Sequence, residues 1–176
     1  MERNGRELPD GRAGGPRART IAALCALFLP LPARAVELKL HPPAPVFLVD
    51  VDARRGVRSA LVQSLAVLNP GERAVTLDRL QVEVRAGEKV RQLHAFDAAD
   101  LDAGAARMSK LEAAGLLKLY DFAFQTSRLL PAGTAIASSR ALAGRSALVL
   151  TGLPLLVRGP ADSLRLTVEG KAADGS

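Results

Sequence analysis

Apolar residues recur along this chain in two rhythms, one of two residues and one of nearly four. Val36-Glu37-Leu38-Lys39-Leu40 alternates apolar and charged side chains, the pattern of a half-buried strand. His41-Pro42-Pro43-Ala44-Pro45 interrupts it, because proline has no N–H to offer a ladder. Dense apolar runs at 46–51 and 57–68 predict two further strands. The second is apolar on both faces and is expected to be central. Asn69-Pro70-Gly71-Glu72 is a turn signal, with proline presetting φ and glycine permitting positive φ. Val75 and Leu77 share one parity, whereas Leu80, Val82 and Val84 share the other. A strand of period two cannot hold both sets on one face, so a bulge or bend is expected near Asp78-Arg79. Ala86-Gly87-Glu88 then turns the chain into a hairpin partner at 89–93.

From Asp97 the rhythm lengthens. Leu101, Ala105, Met108 and Leu111 fall on one face of a helix. Asp97, followed three residues later by Asp100, resembles an N-terminal capping arrangement. Gly115 weakens or ends this helix. Leu116 to Phe124 fits either another helical turn or a short strand with Tyr120, Phe122 and Phe124 on one side. Beyond Pro131-Ala132-Gly133, short β-like runs are expected at 134–139, 147–151 and 154–157. Leu164, Leu166 and Val168 alternate with Arg165, Thr167 and Glu169 in a closing half-buried strand. The whole predicts a mostly β chain: an immunoglobulin-like antiparallel β-sandwich over 36–170 with a short helical insertion at about 97–125. Residues 171–176, small and polar, read as a tail or the start of a linker.

The first 35 residues have a different character. Arg3, Arg6, Arg12, Arg17 and Arg19 lead into an apolar stretch, Ile21 to Leu31, that ends in Ala33-Arg34-Ala35. A basic leader, a short apolar run and a small-x-small site at Ala33 and Ala35 are the order of a cleavable signal peptide. The apolar stretch falls well short of the roughly 20 residues of a membrane-spanning helix, and Pro30 and Pro32 break its end. The mature chain is therefore expected to be exported, periplasmic or extracellular, with no stable membrane span. Cys25, the only cysteine, follows Leu24 rather than the small residue a lipoprotein signal wants, so it reads as apolar filler. Cleavage after Ala35 leaves a chain without disulfides or a thiolate nucleophile.

Removing the leader also changes the charge. Of 24 basic and 18 acidic residues, six and three lie in residues 1–35, so residues 36–176 keep 18 and 15, net +3. The basic residues are scattered, with no run interleaved by stacking aromatics, and nucleic acid is not an expected partner. His41 and His94 lie far apart, with no H-E-x-x-H spacing for zinc, and no G-x-S-x-G elbow presents a nucleophile. Asp97, Asp100 and Asp102 fit no EF-hand loop, and capping accounts for the first two. Asp50 and Asp52 would share one side of a strand, next to Arg54 and Arg55 at its end. No metal, cofactor or catalytic residue is expected. Aromatics are scarce, which singles out Tyr120, Phe122 and Phe124: they either dock the insertion onto the sandwich or form a partner-binding surface.

The run Ser64-Leu65-Ala66-Val67-Leu68-Asn69-Pro70-Gly71-Glu72-Arg73-Ala74-Val75-Thr76-Leu77 resembles strand-turn-strand segments of bacterial immunoglobulin-like envelope domains. With the closing strand Leu164-Arg165-Leu166-Thr167-Val168 and the following Asp174-Gly175, the mature chain resembles the β-sandwich region before the catalytic domain of secreted lysostaphin-like (LytM-type) peptidoglycan peptidases. Those peptidases bind zinc through His and Asp, with an H-x-H motif, and this chain has no such motif. The resemblance therefore carries over no catalytic residue. It implies a non-catalytic envelope domain that binds or positions an envelope protein or cell-wall component. The alternatives are an N-terminal accessory domain of a cell-wall metallopeptidase, inactive by itself, and a structural spacer.

Overall fold

The computed structural model of the protein describes residues 20–25, 36–41, 43 and 46–172. The chain is mostly β, and among the described residues its strands form two sheets. Before the helices run β1 (Thr20–Cys25), β2 (Glu37–His41), β3 (Val46–Asp52), β4 (Val57–Ala60), β5 (Ser64–Asn69), β6 (Val75–Ala86) and β7 (Lys89–Phe96). After them come β8 (Ala135–Ile136), β9 (Ala141–Leu142), β10 (Ser146–Thr151), β11 (Leu156–Arg158) and β12 (Ser163–Ala172). The larger sheet has the order β11-β4-β3-β1-β12-β6-β7, with β9 beside β6, and the smaller is β2-β5-β10-β8. Among the described residues, no helix is long and apolar enough to cross a membrane.

The apolar run at 57–68 is not one central strand. Val57–Ala60 belongs to the larger sheet and Ser64–Asn69 to the smaller. Leu61-Val62-Gln63 carries the chain across: Leu61 N–H donates to Phe47 in β3 at 2.9 Å, and Gln63 N–H donates to His41 in β2 at 2.9 Å. Leu61 and Val62 keep the start of the crossover apolar and no Gly, Pro, Asn or Asp marks it, so the sequence carries no turn signal between the two strands. The expected strand at 134–139 shrinks to Ala135–Ile136, and that at 154–157 shifts to Leu156–Arg158.

Two-sided burial of β5 divides the interior. On one face Leu65 and Val67 join Leu148 and Leu150 of β10 and the inward residues of the larger sheet, among them Val46, Val82, Val84, Leu164 and Leu166. On the other, Ala66 and Val149 meet Met108, Leu117 and Leu129 of the helical segment. The helical segment thus covers one face of the smaller sheet, while Leu101 and Ala105 reach into the core shared with the larger sheet. Helix α1 (Ala98–Ala113) presses close enough to β10 that a Cβ on Gly104 would collide with the Leu150 side chain.

The parity switch in β6 resolves as a bulge. Arg79 pairs with Glu169 and Leu77 with Gly170, so Asp78 has no opposite residue and Val75, Leu77, Leu80, Val82 and Val84 all face inward. A Cβ on Gly170 would lie 2.7 Å from the Thr76 carbonyl oxygen, so the partner strand needs a glycine there. Arg140 fastens the bulge: its Nη1 donates to the Leu77 carbonyl at 2.8 Å and pairs with Asp78 at 3.3 Å. The same residue reaches α1, its N–H donating to Asp102 Oδ1 at 2.7 Å and its Nε pairing with Asp102 Oδ2 at 3.4 Å. At the tip of β5, buried Asn69 donates from Nδ2 to the carbonyls of Arg73 (2.7 Å) and Ala143 (3.0 Å), and its Oδ1 accepts from Gly71 N–H at 3.2 Å.

Three substitutions test this account. Asn69→Ala strands these buried partners and is expected to destabilise the chain by about 2–3 kcal/mol in urea titration. Gly170→Ala should cost about 1–3 kcal/mol by overpacking, while Ala172→Gly, at the end of the same strand, costs less than about 1 kcal/mol. Equal losses at 170 and 172 would contradict the assigned bulge contact.

Candidate functional site

The helical segment continues past the expected end near 125. After α1 come three single turns, α2 (Leu116–Leu119), α3 (Asp121–Phe124) and α4 (Thr126–Leu129), so Leu116 to Phe124 is helical and not a strand. The first element is long because it is capped. Asp97 Oδ1 accepts from the N–H groups of Ala99 (2.9 Å) and Asp100 (3.1 Å), and Asp100 Oδ2 accepts from Asp97 N–H at 3.2 Å, a reciprocal capping box. Gly115 and Gln125 take left-handed conformations, φ 72° and 55°, and divide the rest into short turns. Gln125 holds that uncommon conformation with its Nε2 donating to the Phe122 carbonyl at 2.6 Å.

The three aromatic residues lie between these breaks and face different surroundings. Phe124 is partly buried and packs against the second core cluster, and its carbonyl accepts from the buried Ser64 hydroxyl at 2.9 Å. Its side chain is thus placed to dock the segment onto the smaller sheet, unlike those of the other two. Phe122 is 74 % exposed and Tyr120 43 %, with ring centroids 6.0 Å apart and edge-to-face. Leu119, 65 % exposed, extends the same short segment. Three large apolar side chains within four residues thus face solvent, on turns whose backbone is fastened from below.

Asp121 does much of that fastening. Its Oδ1 accepts from the Thr126 hydroxyl at 2.8 Å and Ser127 N–H at 2.9 Å, and its Oδ2 accepts from the Ser127 hydroxyl. The Ser127 hydroxyl, then its N–H, hold the carboxyl below the ordinary carboxylate value, against the opposing effect of burial. Beside it opens a cavity of about 560 Å³, with Leu117, Leu130 and Ile136 on apolar walls and Glu112, Lys118 and Asp121 as its charged groups.

The other polar candidates do not converge. Asp97 and Asp100 form the capping box while Asp102 binds Arg140, so the three neighbouring carboxylates do not meet at one point. The register shifts between Asp50 and Asp52, which ends their expected alignment. Asp52 instead accepts from Arg55 N–H at 3.2 Å and pairs with Arg55 Nε at 3.5 Å. His94 Nε2 donates to the Leu156 carbonyl at 3.1 Å, and Gln92 Oε1 accepts from Arg158 N–H at 2.6 Å. These two bonds bring β7 against β11, the opposite ends of the larger sheet's path. His41 ends β2 and lies away from His94 in the other sheet. Among the described residues, no group of three His, Cys, Asp or Glu side chains comes together as a metal site would require. Ala33 and Ala35 lie outside the described residues.

A second exposed apolar surface lies on the outer face of β3, β4 and β11. Val49, Ser59 and Leu156 form one cross-strand row, and Phe47 and Leu61 continue it. All four apolar residues are exposed. Their alternation is visible in the sequence, but the reversal that puts apolar side chains outward on β3 is not, because the inward positions are apolar too.

Because its pKa is lowered on folding, ionised Asp121 contributes stability that is complete above the unfolded carboxylate value and is lost as pH falls through the folded one. The chain is therefore expected to lose thermal stability in that acid window. Asp121→Asn should flatten this part of the profile, leaving the neutral-pH Tm lower than that of the parent; an unchanged acid profile would contradict the carboxylate's role. Compared with known proteins, the chain matches no family model, no curated protein and no solved structure.

Proposed function

We propose that residues 36–176 act after export as a non-catalytic, immunoglobulin-like envelope domain that holds an envelope protein or cell-wall component through Leu119, Tyr120 and Phe122. The exposure of these three side chains carries the reading. Isolated exposed apolar residues are ordinary, but a contiguous set rich in aromatics marks binding surfaces. Aromatic rings offer large contact area for few rotatable bonds, and the turns beneath them are already ordered by Asp121 and Gln125. A rigid sheet core that presents function on a connecting segment supports a binding role. The two sheets sharing one core support the sandwich assignment. Export rests on the order of basic, apolar and small residues before Val36.

Site-specific photo-crosslinking in the exporting cell tests the reading. A photoreactive phenylalanine analogue at position 122 is expected to give one discrete adduct. The same group at exposed Arg91 on β7 should give none. Tyr120→Ser with Phe122→Ser is expected to change stability by less than about 0.5 kcal/mol, as solvent-facing substitutions do, and to abolish the adduct that the same photoreactive group gives at position 119. Identical adducts at 91 and 122, or capture that survives the double substitution, would overturn the proposal.

A further inference from the structure

β1 has a place in the larger sheet unlike any other strand. Its first residues, Thr20 and Ile21, pair antiparallel with Phe47 and Val46 of β3. Its last four, Ala22 to Cys25, pair parallel with Ser163 to Leu166 of β12. Among the described residues, it alone links the group β11-β4-β3 to the group β12-β6-β7 by a backbone ladder. Yet β1 lies inside the segment that export removes.

Cleavage after Ala35 therefore opens an edge. β12 is hydrogen-bonded to β6 along Ser163–Ala172 on one side, and on the other side its paired residues, Ser163 to Leu166, are paired by β1. Without β1 a ten-residue edge with no proline faces outward. Such an edge is a template for strand addition. Its chemistry is stated by the register. Positions 21, 23 and 25 of β1 align with Val46, Leu164 and Leu166, which belong to the core. Positions 20, 22 and 24 align with Phe47, Ser163 and Arg165. An occupant must be extended, apolar at the alternate positions that face Val46, Leu164 and Leu166, and run parallel to β12. The exposed Phe47, Val49 and Leu61 continue the apolar surface beside β3.

Resting on the export reading, we propose that the processed chain accepts an extended apolar segment of another polypeptide at the β12 edge, in the place and direction that β1 occupies. Direct closure of β3 onto β12 is the competing outcome.

The test uses the chain purified after export, and a fluorescent peptide of residues 18–28 carrying Cys25→Ser as the probe. Saturable binding is expected, with slowed amide exchange at Ser163 to Leu166. A peptide with Ala22→Pro and Leu24→Pro should bind at least ~10-fold more weakly, since each proline removes a ladder donor. The unprocessed chain, its edge occupied by β1, should not bind the peptide. N-terminal mass analysis separates the two readings. A retained leader would overturn the export reading and this proposal together. A cleaved leader with no saturable binding, or with binding that leaves exchange on β12 unchanged, would overturn this proposal alone.

Discussion

β5 and β10 carry apolar side chains on both faces, and each face has to be covered. Leu65, Val67, Leu148 and Leu150 are covered by the larger sheet. Ala66 and Val149 are small or branched, and they leave a shallow surface that Met108, Leu117 and Leu129 fill. Burying a large aliphatic side chain is worth roughly 1.5–3 kcal/mol, so neither surface is stable in water by itself. The helical segment is therefore a third layer of the fold. Its turns are anchored where the core requires them, and side chains beyond the anchors are free to point outward. Leu117 and Phe124 turn in, while Leu119, Tyr120 and Phe122 turn out.

The same covering requirement explains how much of the fold is legible in the sequence. The β6 bulge is legible because Val75 and Leu77 conflict in parity with Leu80, Val82 and Val84, and a conflict of period has a local remedy. The α1 cap is legible because Asp97 and Asp100 act within one turn. The crossover at Leu61-Val62-Gln63 is not legible, because Leu61 and Val62 keep its start apolar and no turn residue marks it. β1 is likewise obscured: an apolar run after a basic leader has the pattern of an export signal whether or not its backbone pairs with Phe47 and Leu164.

At the candidate site, scarcity of aromatics points to 120–124 but not to which rings face out. That division follows from the single helical turn α3, in which side chains two residues apart point to different sides, so Phe124 packs on the core while Phe122 faces out. That turn ends at Gln125, and left-handed glutamine has no sequence signature comparable to glycine's. The outward apolar row on β3, β4 and β11 escapes for a different reason: its members come from three strands and become neighbours only through register.

Arg140 has a mechanical consequence. One guanidinium and its own backbone N–H grip Leu77, Asp78 and Asp102 at once, tying the bulged strand to the first turns of α1. The helical layer is thereby coupled to β6 near its start, and β6 is in turn paired with β12 along most of its length and with β7 from Leu80 on. Displacing the start of α1 therefore means breaking contacts to the paired strands as well, so the helical layer and the bulge are expected to loosen together and not one after the other.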